Sequence, residues 1–183
     1  MKENLKITDY SQPDFYHFSE STVTLANYAA EQVQEYQNLK VLDIGAGCGV
    51  LGLEFARKHG SVKSLHWVEP QTVFHHSLKK NDRGRDELVK GTKHLDDFYN
   101  ESYDIILMNP PFYLLGSGRT PDNKSREQCH FWDISDEEAV KNYILAPKRF
   151  SKGAFILGRR EVFQGEKKYL NQNEWITRLY PSE

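Results

Sequence analysis

Two short segments carry residue types that could do chemistry on a bound molecule. One is Asp43-Ile-Gly45-Ala-Gly47-Cys-Gly49-Val-Leu-Gly52, and the other is Asn109-Pro110-Pro111-Phe112. Glycines let a backbone turn tightly and let a ligand approach where a Cβ would intrude. Gly47, Gly49 and Gly52 satisfy the spacing GxGxxG, which suits a nicotinamide or flavin dinucleotide. Asp43 argues against that ligand, because a carboxylate just before the first glycine repels a pyrophosphate. The same acid favours a cation. S-Adenosylmethionine fits, since it carries an ammonium and a sulfonium and no phosphate. Glu69 stands 20 residues after Gly49. A carboxylate there can accept both hydroxyls of a ribose, whichever nucleoside carries it.

In the second segment two prolines fix φ and stiffen the loop, which aims the Asn109 side chain and the Pro110 carbonyl at one point. Both are acceptors, so together they can take the two hydrogens of an amino group. The exocyclic amine of a base is a poor nucleophile because its lone pair is delocalised into the ring. Acceptors on its hydrogens favour a pyramidal nitrogen with the lone pair turned toward a methyl donor. Phe112 offers an aromatic face to a planar substrate. A base inside a duplex must be flipped out, or be single-stranded, to reach such a pocket.

Holding these segments requires strands alternating with helices. Ser21 or Thr22 can cap a helix through about residue 36, with Val23, Ala26, Ala30 and Val33 at helical spacing. Residues 41–44 read as a buried strand, followed by the glycine turn and a helix from about Val50 that stops at Gly60. Residues 64–68 form a second strand, and Pro70 suits the first turn of the helix after it. A weak third strand covers 88–91, and a strong fourth covers 103–108, ended by Pro110-Pro111. A helix over 136–145, a fifth strand at 154–157 and a sixth at 175–179 complete the pattern. The alternation predicts an α/β fold with a doubly wound, mainly parallel sheet, short of its last strand or strands. Ligands bind such sheets outside the carboxyl ends of the strands, where both segments fall.

Composition narrows the classes. At 183 residues the chain is expected to be one domain. Hydrophobic residues make up 38% and mean hydropathy is −0.70. The longest aliphatic runs fall far short of the ~20 residues a membrane span needs. The N-terminal MKENLKITDY mixes acids with lysines and is expected to be neither a signal nor a transit peptide. Cys48 and Cys129 form no CxxC pair, and the histidines show neither HxxxH nor HExxH spacing, so no metal is expected. A GxSxG elbow is absent. The expected setting is cytoplasmic and reducing. A net charge of −2 does not suggest nucleic acid, yet residues 146–178 hold eight Lys/Arg against three Glu. That stretch reads as a solvated face or a nucleic-acid contact.

Residues 41–52 resemble the first motif of Rossmann-like S-adenosylmethionine-dependent methyltransferases, and Asn109-Pro110-Pro111-Phe112 resembles their amino-methylating (D/N/S)-P-P-(Y/F) motif. Over roughly residues 7–160 the chain is similar to bacterial tRNA1(Val) (adenine-37-N6)-methyltransferases of the methyltransferase small-domain group. The similarity extends to Tyr10-Ser-Gln-Pro-Asp-Phe-Tyr-His-Phe-Ser19 and to Thr24-Leu-Ala-Asn-Tyr-Ala29. It also takes in a glycine- and arginine-bearing loop with Gly116, Arg119, Lys124 and Arg126. The resemblance implies Asp43, Gly45 and Gly47 around the methionine end of S-adenosylmethionine and Glu69 on its ribose. It places Asn109, Pro110 and Phe112 at the reacting amine. The family's carboxylate for the cofactor adenine falls by spacing on His94, with Asp96 and Asp97 just beyond, and its acid near the first helix start is Ser21 here. The implied activity is N-methylation of an exocyclic amine, adenine N6 in tRNA, with RNA as the partner. Guanine N2 of ribosomal RNA and a glutamine amide of a protein are alternative acceptors. A non-catalytic cofactor-binding module is the alternative of another class, against which the intact Asn-Pro-Pro-Phe loop argues. Arg119, Lys124 and Arg126 are then expected on RNA phosphates. Nothing in the sequence sets the oligomeric state.

Overall fold

The glycine turn and the proline loop leave neighbouring strands of one sheet. The computed structural model describes residues 10–82, 89–92 and 94–182. Along the chain come α1 (Glu20–Gln32), β1 (Leu39–Ile44), α2 (Val50–His59), β2 (Val62–Val68), α3 (His75–Asp82), β3 (Val89–Thr92) and β4 (Tyr103–Met108). There follow β5 (Tyr113–Leu114), α4 (Lys124–His130), β6 (Phe131–Trp132), α5 (Ile134–Leu145), β7 (Phe150–Gly158), β8 (Glu166–Asn171) and β9 (Glu174–Leu179). Seven strands form one sheet in the order β3-β2-β1-β4-β7-β9-β8, and β5 pairs separately with β6. The pairs from β3 across to β7 are parallel, and β9 runs antiparallel between β7 and β8. No helix among the described residues is long and apolar enough to cross a membrane.

Strands buried on both faces read as apolar runs rather than alternating ones. In β1, Val41 joins one core with Leu25 and Ala29 of α1, Leu53 and Phe55 of α2, and Leu78 of α3. Its neighbour Leu42 joins the other with Tyr143 and Ile144 of α5. Helices therefore cover both faces, and the doubly wound α/β architecture is as expected.

Register then sets the site. Ile44 lies level with Val68 of β2 and with Met108 of β4, and Val68 lies level with Thr92 of β3. Gly45, Glu69 and Asn109 are the residues that follow, so they emerge in one row at the carboxyl ends. The strand order reverses between β1 and β4, which opens a crevice at that row.

Several expectations are corrected. The chain after β7 forms two antiparallel strands, so the sheet does not stop short of its last strands. The helix expected to open at Ser21 or Thr22 is capped at Ser19 and ends at Gln32, not near residue 36. The two hydroxyls are engaged elsewhere: Ser21 donates to Glu174, and Thr22 accepts from Asn109. Pro70 precedes a short 3-10 turn at Thr72–Phe74 and is not inside α3. The loop expected around residues 116–127 contains the start of α4. The strand predicted at 88–91 begins one residue outside the described residues and is found at Val89–Thr92.

Candidate functional site

A cavity of about 1060 Å³ sits over the row of strand ends. Gly45, Gly47, Glu69, His94, Asp96, Asn109 and Pro110 all line it, so seven of the nine residues singled out in the sequence meet there. α4 folds over the opening and adds Lys124, Ser125 and Cys129 to the wall. Asp43 and Phe112 are placed differently.

Gly47 has φ +56°, a left-handed conformation that L side chains avoid. This turn presents the Gly47 N–H to Glu69 Oε2 at 2.7 Å, while the Gln71 N–H donates to Oε1 at 2.8 Å. Glu69 is only 4% exposed. Burial pushes its carboxyl above the usual range, and the two amides pull it back down. Each oxygen keeps a lone pair beyond its backbone bond, so the pair can still accept two hydroxyls. Tyr16 lies against the same turn, its hydroxyl 3.8 Å from where a Cβ on Gly47 would sit. The sequence quotes Tyr16 within the segment 10–19, yet no spacing rule marks it as a wall of the cavity.

Asp43 is fully buried behind the turn and does not line the cavity. Its Oδ2 accepts from the Gly52 N–H at 2.9 Å, and a Cβ on Gly52 would come within 3.0 Å of that oxygen. Only glycine lets α2 start this close. Among the described residues, Oδ1 has no hydrogen-bond partner. Burial pushes the Asp43 carboxyl up to about 7; the Gly52 amide pulls it down and Glu69 adds to the rise. The folded protein thus binds this proton more tightly than the unfolded chain does. The corresponding stability is full below the ordinary aspartate range, about pH 4, and is lost as pH rises through about 7. Asp43→Asn should therefore be more stable than the parent at pH 8, by a few kcal/mol at about 1.4 kcal/mol per pH unit of separation. Urea unfolding across pH 4 to 8 checks this: the gap should open as pH rises. A gap independent of pH would mean that Asp43 ionises normally in the fold.

Asn109 is held from the side of α1. Its Nδ2 donates to Thr22 Oγ1 at 2.9 Å, which leaves Oδ1 as the acceptor of the side chain. Thr22 is 4% exposed and could not be found from sequence, where it reads as a helix cap. The loop is fixed further on, where Trp132 Nε1 donates to the Pro111 carbonyl.

Phe112 does not line the large cavity. It borders an adjoining small pocket with Pro110, Trp132 and Arg159, because the turn after Pro111 packs its ring toward the core on the α1 side. The Arg159 guanidinium lies over that ring, 4.5 Å from its centroid. Glu174, 3% exposed, accepts from Arg159 Nε at 3.3 Å and from Ser21 Oγ at 2.6 Å. Sequence gave Arg159 only as one charge of a basic stretch.

A model of the methyltransferase small domain matches residues 18–120. Ribosomal RNA small subunit methyltransferase D of Buchnera aphidicola is 30% identical over 158 residues, which is 81% of this chain and 81% of that protein. Among solved structures, the hMettl16 catalytic domain in complex with MAT2A 3′UTR hairpin 6 superposes with a TM-score of 0.69. It is 15% identical, and the match covers 95% of this chain and 76% of that one. The human methyltransferase 10 domain containing protein gives a TM-score of 0.59 at 16% identity, covering 88% and 83%. At these identities the two structures show a shared fold.

Proposed function

The chain belongs to the methyltransferase small domain family, and from that premise we propose that this S-adenosylmethionine-dependent methyltransferase modifies an exocyclic amine of RNA, adenine N6 of a tRNA. One observation carries the reading: Asn109 and Pro110 open onto the same cavity as Glu69 and Gly47. The names of the relatives, a ribosomal RNA methyltransferase and a domain bound to a 3′UTR hairpin, support RNA as the acceptor class.

The residues present fit S-adenosylmethionine. Glu69 offers two lone pairs at the cavity wall for a ribose, and Gly47 leaves room beside Tyr16 for the methionine end. Asp43, buried behind the turn with an unpartnered oxygen, shapes the turn from beneath and does not contact the ligand. His94 and Asp96 line the same cavity at the end of β3, where the adenine belongs. When bound, the cofactor supplies a methyl group on a positively charged sulfur. The protein's own work is to hold the amine. Asn109 Oδ1 and the Pro110 carbonyl accept its two hydrogens, which draws the nitrogen lone pair out of conjugation with the ring. Oriented dipoles of this kind stabilise the charge that develops on the nitrogen without reorganising.

A second acceptor is guanine N2 of ribosomal RNA, and the name of the Buchnera relative favours ribosomal RNA as the molecule. Labelled S-adenosylmethionine incubated in parallel with tRNA, ribosomal subunits and release factor separates the readings. Label in tRNA is the expected result, and label in the subunits would move the acceptor to ribosomal RNA. Label only in release factor, or in nothing, would overturn the proposal.

Phe112 tests how the edge of the acceptor loop is seated. Its ring packs on the core and beneath Arg159, so Phe112→Ala should weaken RNA binding indirectly, by removing the surface that seats Arg159. Phe112→Tyr keeps the face and should retain binding. Anisotropy titration of a labelled oligonucleotide gives the comparison, and equal loss in both variants would mean that the ring only fills space.

A further inference from the structure

The far side of the proline loop carries positive charge that the methyl-transfer reading leaves unused. β5 and β6 pair in parallel with Tyr113 level with Phe131, and Phe112 and His130, the last residue of α4, immediately precede those two paired residues. Arg126 sits one helical turn before His130 on α4, on the same face. Arg159 arrives from the end of β7 and lies over the Phe112 ring. Arg126 and His130 of α4 and Arg159 beyond β7 thus come from two segments to one corner, beside the Phe112 ring at the edge of the acceptor loop.

The corner has the character of a built site. Arg159 is held in place from behind by the buried Glu174 carboxylate, with Ser21 on its other oxygen, while 44% of the arginine side chain stays exposed. Among the described residues, Arg126 forms no ion pair. His130 is kept below the usual histidine range by burial first and then by Arg126 and Arg159, so the two arginines are close enough to repel a charge on it. Cations gathered at that spacing gain from an anion placed among them. Guanidinium groups present paired donors that match phosphate oxygens.

We infer that Arg126, His130 and Arg159 form a binding corner for one backbone phosphate of the nucleic acid whose base enters beside Asn109. The inference rests on the reading of RNA as acceptor and adds where the strand is gripped. A phosphodiester next to the flipped nucleotide would hold the strand while the proline loop takes the base.

The test compares the parent with the triple variant Arg126→Gln/His130→Gln/Arg159→Gln. Lys63→Gln is the control, since Lys63 lies exposed near the amino end of β2, opposite the site. Binding of a fluorescent single-stranded RNA oligonucleotide is measured over a salt series, together with methyl transfer and S-adenosylmethionine affinity. The triple variant should lose about 0.7 from the log–log salt slope, the value of one single-strand phosphate, and its KM for RNA should rise about tenfold. Lys63→Gln should leave the slope alone, and cofactor affinity should be retained throughout, which shows that the triple variant is folded. Inorganic phosphate should compete only weakly; competition as strong as that of the oligonucleotide would make this a free-ion site and overturn the inference. An unchanged slope and KM in the triple variant, with the parent methylating RNA, would also overturn it while leaving the RNA reading intact. If the parent methylates no RNA, the acceptor reading falls, and the slope difference with the oligonucleotide still decides whether the corner binds phosphate.

Discussion

Asn109→Ala should lower kcat by roughly 100- to 1,000-fold, the usual cost of removing one oriented polar group at a reacting centre, and should leave S-adenosylmethionine affinity nearly unchanged. The side chain is tied to Thr22 on α1 and lies on the opposite flank of the cavity from the backbone amides that hold Glu69. Removing it takes nothing from the nucleoside side. It takes one of the two acceptors that draw the lone pair out of the ring, so the loss appears in the chemical step. Thr22→Val gives a graded version: it deletes the hydroxyl that orients Asn109 and should cost about five- to tenfold, the worth of one ordinary hydrogen bond. The helix itself should not suffer, because Thr22 lies inside α1, beyond its N-cap position at Ser19. Single-turnover rates at saturating RNA measure both. Full activity in Asn109→Ala, or loss of the cofactor instead of the rate, would reduce the Asn-Pro-Pro-Phe loop to a turn.

Glu69→Ala should raise the dissociation constant for S-adenosylmethionine by at least about 100-fold. Each hydrogen bond to a charged acceptor contributes about 1.5–3 kcal/mol, and a ribose would make two. The alanine also strands the Gly47 and Gln71 amides, which have no other acceptor in the bonds that shape the turn. Glu69→Gln is the more informative variant. It keeps one carbonyl oxygen as an acceptor and should lose about tenfold, with the fold retained. Calorimetry at neutral pH reads both constants, and parent-like affinity in Glu69→Ala would remove the ribose assignment.

The sheet and both motifs are legible in the sequence for physical reasons. Central parallel strands are buried on both faces, so stretches such as residues 105–108 are apolar without interruption, and glycine and proline mark where they stop. Polar and marginal elements are another matter. β8, Glu166–Asn171, has no buried residue and sits at the sheet edge, so its sequence is that of a loop. α4 also buries nothing, and no helical periodicity announces it. The hydroxyls of Ser21 and Thr22 look like caps because capping is the local use of such residues, while their actual partners, Glu174 and Asn109, are distant in the chain. Asp43 shows the same limit. Its type and place before the glycines suggest a contact with a cation, whereas the fold sets it beneath the turn, where it anchors α2.

The account turns on which atom receives the methyl group. RNA labelled by the protein from radioactive S-adenosylmethionine can be digested to nucleosides and separated by chromatography. The label should travel with N6-methyladenosine, and its rate of appearance should fall roughly 100- to 1,000-fold in Asn109→Ala. Label on N2 of guanosine would keep the amine chemistry and change the base. Label on a ribose hydroxyl or on a ring carbon would contradict the central claim, because neither carries the two hydrogens that Asn109 and Pro110 are placed to accept.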